Sequence, residues 1–272
     1  MRVFAISDLH VEHAENDRWV SGISTWDYRN DVLICAGDVA QSEKLLGSAF
    51  ERLRHRFQAI VYVPGNHELW VVPRPGNGSP EKNSIDKFHQ VQALARECGV
   101  GTEPLDLETV SLVPLLAWYD HSYGEPGEDL LQRWSDYHLC SWPELFDQPR
   151  ITEYFLALNQ SFLKARRQSV ISFSHFVPRE DFLPTAGSSR GFLRPVLGTS
   201  LIDAQVRQLG SFLHIYGHYH VNSRTERDNI TYINNAYGYP REAHIAAKKL
   251  VCVFNTEKAN GGRPQVCYEY CG

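Results

Sequence analysis

Five short apolar runs, at 2–6, 32–36, 59–63, 170–173 and 212–216, each break off directly into residue types that bind metals. The runs are rich in Val, Ile and Phe and four or five residues long, the pattern of strands buried in a sheet. The first is followed by Ser7-Asp8-Leu9-His10 and the second by Gly37-Asp38. The third runs into Pro64-Gly65-Asn66-His67-Glu68, the fourth into Ser174-His175, and the fifth into Gly217-His218-Tyr219-His220. Open α/β sheets bind ligands at the carboxyl ends of their strands, so these five loops are expected to converge on one crevice. Residues two apart in an extended segment point to the same side, so Asp8 with His10, and His218 with His220, can each serve one centre.

Taken singly, each fragment has an ordinary explanation. Gly-Asp and Gly-Asn are turn formers, and a lone His175 is more often a hydrogen-bonded structural residue. Two imidazoles at i and i+2 just after a buried strand make the strongest single piece. The conjunction of five such strand ends carries the metal-site reading.

Between the runs lie helical patterns, one opened by Ser79-Pro80 and closed by Gly99, another from Thr152 to Arg167. A third starts at Ser200, with Asp203 as a weak capping box, and stops at Gly210. Strand-like runs follow at 230–235, 248–254 and 265–270. This alternation with a β-rich tail predicts an α/β fold of partly mixed sheets flanked by helices. At 272 residues a single domain over 1–272 is expected, with loop at 71–80 and a surface cap or insertion at about 119–150.

With 43% hydrophobic and 22% charged residues the chain reads as soluble and globular. A net charge of −5 argues against coating nucleic acid electrostatically. No apolar stretch approaches the roughly 18 residues of a membrane helix, and the run at 2–6 is too short for a signal peptide. The six cysteines show no C-x-x-C pairing, so reduced thiols and the cytoplasm are the expectation, over a Cys267–Cys271 disulfide.

In order along the chain, Asp8-Leu9-His10, Gly37-Asp38, Gly65-Asn66-His67-Glu68, His175 and Gly217-His218-Tyr219-His220 resemble the signature of the calcineurin-like metallophosphoesterases. The likeness spans residues 8 to 220 and implies a four-layer α-β-β-α sandwich. It further implies two divalent ions, one held by Asp8, His10 and His220, the other by Asn66, His175 and His218, with Asp38 bridging. Mixed oxygen and imidazole ligands suit Mn²⁺, with Fe, Zn²⁺ or Mg²⁺ as alternatives. The expected chemistry is in-line attack on phosphorus by a metal-bridging hydroxide without a phosphoenzyme. In this resemblance His67 binds a phosphate oxygen and acts as the general acid.

Secondary candidates for substrate contact are His121, Tyr219 and Arg190, with Arg194, Trp70 and Tyr237 weighed as further phosphate or stacking contacts. Protein Ser/Thr phosphatases extend the second motif to G-D-x-x-D-R-G, whereas here it continues Val39-Ala40-Gln41-Ser42. Loss of that Asp-Arg pair argues against phosphoprotein substrates and toward a phosphodiesterase or phosphatase acting on small molecules or nucleotides. The rival readings are a non-catalytic scaffold of the same fold and a nuclease. All seven ligands and His67 are present, against the first. A nuclease calls for an extended basic groove, and helical faces explain the basic clusters at 52–56 and 166–167.

Overall fold

In the computed structural model, which describes residues 1–71, 83–164, 169–258 and 265–271, eleven strands form two mixed sheets. The strands are β1 (Arg2–Ile6), β2 (Val32–Ala36), β3 (Ala59–Val63), β4 (Leu105–Asp106), β5 (Ser111–Pro114) and β6 (Val170–Phe173). They continue as β7 (Ser211–Tyr216), β8 (Ser223–Arg227), β9 (Ile230–Asn234), β10 (Leu250–Asn255) and β11 (Val266–Cys271). The helices are α1 (Ala14–Gly22), α2 (Glu43–Arg54), α3 (Ser84–Glu97), α4 (Glu128–Arg133), α5 (Asp136–Leu139), α6 (Gln148–Leu158), α7 (Gln160–Lys164) and α8 (Leu201–Gln208).

The first sheet runs β11-β10-β1-β2-β3, with β1, β2 and β3 parallel and β10 and β11 antiparallel. The second runs β4-β5-β6-β7-β9-β8, with β5, β6, β7 and β9 parallel. Alternation along β1 shows how the layers stack. Val3 and Ala5 join a core shared with Ile171 and Phe173 of β6 and Leu213 and Ile215 of β7. Phe4 and Ile6, pointing the other way, pack with Val20 of α1, Phe50 and Leu53 of α2 and Val91 of α3. Each such large apolar side chain, fully buried, contributes about 1.5–3 kcal/mol. Helices α6 and α8 cover the second sheet through Ile151, Phe155, Ile202 and Val206. The order is helices, sheet, sheet, helices, the expected sandwich.

The five predicted strands fall where the apolar runs lie. The helix boundaries differ more. Ser79-Pro80 and most of the 71–80 loop lie outside the described residues; α3 begins at Ser84, with Asn83 and Asp86 forming a reciprocal capping box. The helical segment expected over 152–167 starts earlier, at Gln148, because the Asp147 side chain accepts from Arg150 N and Pro149 suits the first turn. Its predicted end, at 165–167, lies outside the described residues. Ser200 makes no side-chain cap; the Thr199 hydroxyl accepts from Leu201 N instead, at 3.2 Å. All six cysteines are free thiols, including Cys267 and Cys271.

Candidate metal centre

Seven of the predicted ligands come together where the carboxyl ends of β1, β2, β3, β6 and β7 meet, so both sheets contribute. Two groups made only of predicted ligands have ligand atoms within 4.8 Å of one another, Asp8 with His10 and His220, and Asp38 with His175 and His218; a third such group joins His10 with Glu12 and His67. Asn66 joins the second, its Oδ1 lying 3.2 Å from His175 Nε2. Asp38 Oδ2 lies between the groups, 3.9 Å from His10 Nε2 and 3.5 Å from His175 Nε2.

The backbone at these positions is unusual for residues with side chains. Asp8 (φ 54°), His10 (φ 43°), Asp38 (φ 53°) and His218 (φ 66°) all adopt the left-handed region. Asp and His tolerate it better than β-branched residues, and such strain gathers at functional sites. Close approach explains the motif glycines: a Cβ on Gly37 would sit 2.4 Å from His175 Nδ1, and one on Gly65 would sit 2.1 Å from Asp38 Oδ1.

Buried hydrogen bonds set the direction of each imidazole. His175 Nδ1 donates to the Ala36 carbonyl (2.9 Å) and His218 Nε2 donates to that of Val196 (3.0 Å). Their remaining nitrogens therefore present lone pairs to each other, 3.1 Å apart. The other group repeats the device with carboxylates. His10 Nδ1 faces Glu12 Oε1 (3.3 Å) and His220 Nδ1 faces Glu242 Oε2 (2.6 Å), while their Nε2 atoms are 3.4 Å apart. Inner nitrogens turned toward one another, with the outer ones tied off, are what a cation between them calls for. The donor set thus fits divalent metal ions.

The electrostatics agree. Burial pushes His175 down to about 3 and His218 to about 4, so both are neutral. Burial also raises Asp38 well above the usual carboxylate range, with Glu68 and Asp8 adding to it. Burial opposes the charging of Asp8 and His220, but their mutual attraction wins, lowering Asp8 and, with Glu242, raising His220 to about 9. His67 is driven well below its ordinary value by burial and by His10, His175 and His218.

His67 adjoins both groups, clustering with His10 and Glu12 and lying 3.7 Å through Nε2 from Asp38 Oδ2. Its backbone N donates to Asp38 Oδ1 at 3.0 Å, and its ring stacks on Trp70 at 3.8 Å. Trp70, weighed as a stacking surface for substrate, packs instead on this histidine. Tyr237 stacks on Trp19 in the helix-side core. Tyr219 packs against the inter-sheet core, and its carbonyl accepts from Asn234. His121 bonds the Tyr137 hydroxyl at 2.9 Å and belongs to neither ligand group. Arg190 is partly exposed beside the turn Gly191–Val196, and Arg194 is taken up by Glu180 and the Pro184 carbonyl.

Four supporting acids escaped the sequence reading. Glu68, fully buried, accepts backbone N–H groups from Gly65, Asp38, Val39 and Ala40, tying the β2 and β3 loops together. Asp136, in the 119–150 segment, accepts from Asn66 (2.8 Å), Trp70 (2.7 Å) and Trp134 (2.8 Å). Glu12 and Glu242 back His10 and His220. Only Glu68 carried a signal, as the last residue of its motif.

A family model described as calcineurin-like phosphoesterase matches residues 1–222. The chain is 31% identical over 128 residues to the [acyl-carrier-protein] phosphodiesterase PptH of Mycobacterium tuberculosis, a match over 44% of this chain and 38% of that protein. It is 23% identical over 266 residues to the uncharacterized protein L509 of Acanthamoeba polyphaga mimivirus, covering 87% and 91% of the two. The crystal structure of the phosphopantetheinyl hydrolase PptH from M. tuberculosis superposes with a TM-score of 0.75 at 24% identity, over 97% of this chain and 95% of that one. Among the described residues no helix is long and apolar enough to cross a membrane.

Proposed function

The chain belongs to the calcineurin-like phosphoesterases, and from that premise we propose that it is a metal-dependent phosphodiesterase with a binuclear centre. The observation that carries the reading is the pair of inward-facing lone-pair sets, His175 with His218 and His10 with His220, lying on either side of Asp38. Asp8, His10 and His220 would hold one ion, Asn66, His175 and His218 the other, and Asp38 both. Such ions, when bound, supply a clamp on the attacking and leaving oxygens and lower the pKa of water. Mixed oxygen and nitrogen donors suit Mn²⁺, Fe, Zn²⁺ or Mg²⁺.

The chain's own residues do the rest. Asp38 fixes the His67 backbone, Trp70 supports the ring face, and Nε2 is left toward the ligand groups. From there His67 can hydrogen-bond a phosphoryl oxygen and protonate the leaving oxygen as water displaces it directly at phosphorus. Two things support a diester over a phosphoprotein monoester: the absent Asp-Arg pair, with Gln41 and Ser42 in its place, and the activity in the name of the mycobacterial relative. Substrates to consider are small-molecule or nucleotide diesters and the phosphodiester arm of an acyl carrier protein. Six unpaired cysteines suit a reducing compartment such as the cytoplasm.

The test is metal analysis with a substrate panel in Mn²⁺: aryl monoester, aryl diester, cyclic nucleotides, single-stranded DNA and a phosphopantetheinylated carrier protein. Diester turnover is expected, and His67→Ala should lose about 10²–10⁴-fold in kcat while keeping its metal. No turnover by the metal-loaded protein would favour a binding scaffold, and loss of metal in His67→Ala would contradict the role given to that residue.

A further inference from the structure

Gln41 stands where the protein phosphatases carry the aspartate beside their acid histidine, and it reaches the same ring. Its amide nitrogen lies 3.3 Å from His67 Nδ1 and 3.2 Å from Glu12 Oε1. A carboxylate oxygen can only accept, so Glu12 fixes which end of the Gln41 amide is the NH₂ group. That group then has one N–H for Glu12 and the other for His67 Nδ1. The ring nitrogen receiving a hydrogen bond bears no proton, so Nε2 carries it. Nε2 faces Asp38 Oδ2 at 3.7 Å and the Tyr239 hydroxyl at 3.5 Å.

This has a consequence for Tyr239. Its hydroxyl cannot donate to a protonated Nε2, and among the described residues His67 is its hydrogen-bonding neighbour. The O–H is therefore available to a ligand oxygen beside the His67 ring. The residue is held for that purpose at both ends. Its ring lies against His10 (4.5 Å, 30° between planes), its backbone N donates to Glu242, and its carbonyl accepts from Lys248.

We propose that Tyr239 is a second substrate-contacting donor: its O–H and His67 Nε2–H together cradle one oxygen of the phosphoester, and Gln41, fixed by Glu12, is the positioning residue that keeps both donors aimed at it. The proposal rests on the reading of His67 as facing the substrate. Donors preset toward an oxygen that gains charge in the transition state act mainly on kcat.

The experiment uses the full-length metal-loaded protein. Tyr239→Phe keeps the ring and removes only the donor; kcat on an aryl diester should fall about a hundredfold, with KM and metal content little changed. Gln41→Leu should lower kcat about ten- to a hundredfold. Its effect should combine non-additively with Tyr239→Phe, because in Gln41→Leu the hydroxyl can turn its proton into the ring. Long-range ¹⁵N–¹H spectra of the Zn²⁺-loaded protein should show His67 protonated at Nε2 in the wild type, with that preference lost in Gln41→Leu. Wild-type kcat in Tyr239→Phe, or a wild-type His67 ring protonated at Nδ1, would overturn the proposal. An active His67→Ala would instead overturn the reading beneath it.

Discussion

At the scale of single residues, the site depends as much on acids that never face a ligand as on those that do. Glu68 gathers four backbone N–H groups from two loops and is fully buried. Glu68→Gln exchanges one acceptor oxygen for an NH₂ group, leaving buried donors facing a donor. Such mismatches cost about 1–3 kcal/mol. Glu68→Gln should therefore lower unfolding stability by about 2 kcal/mol in urea titration, and loosen the turn that presents Asp38 and Asn66. An unchanged midpoint would mean the loops hold their shape without the carboxylate. The seven clustered candidate ligands were legible in the sequence because each follows directly on a short buried apolar run, with a glycine at three of the five strand ends (Gly37, Gly65 and Gly217). Their supports were less so. Nothing in residues 238–242 (Gly-Tyr-Pro-Arg-Glu) tells a reader that Glu242 will meet His220 or that Tyr239 will meet His67. Those contacts are set by the path of the chain after β9, which no local pattern encodes.

Among elements, the 119–150 segment supports the site although most of its residues from 121 onward are exposed or half-buried. From it α5 brings Asp136, only 3% exposed, against Asn66 and two tryptophan N–H groups. Asn66 can turn its oxygen toward His175 because Asp136 takes its NH₂ group. In the proposed binuclear centre, Asp136→Ala should free that amide to rotate and weaken binding of the ion assigned to Asn66, His175 and His218 about ten- to a hundredfold, measured by titration calorimetry, while the other is less affected. Equal loss at both ions would mean that the segment supports the fold generally and not Asn66 in particular. The strands were the most readable elements, since a short buried run of Val and Ile has few alternatives. Helix limits depended on caps, and the one at Thr199 was hidden behind the more conspicuous Ser200.

For the whole molecule, the centre lies where two sheets face each other, with Asp8, His10, Asp38 and Asn66 from one and His175, His218 and His220 from the other. Metal bound across such a junction favours the folded state alone. Saturation at a hundred times Kd should add about 2.7 kcal/mol of stability. Chelation should correspondingly lower the melting temperature, and Asp38→Asn should show a much smaller metal-dependent rise in differential scanning calorimetry. A melting temperature indifferent to metal in the wild type would place the ions outside the junction. The order of strands bears also on how the molecule comes into being at the ribosome. β1 (Arg2–Ile6) is translated well before one of its two neighbours, β10 (Leu250–Asn255). A nascent chain that has already displayed Asp8, His10, Asp38 and Asn66 must wait for some two hundred further residues before β1 is flanked on both sides. Until then it exposes a bare strand edge, which is prone to pairing with other chains. Completion of the sheet that carries Asp8, His10, Asp38 and Asn66 is therefore a late event in the making of each new molecule.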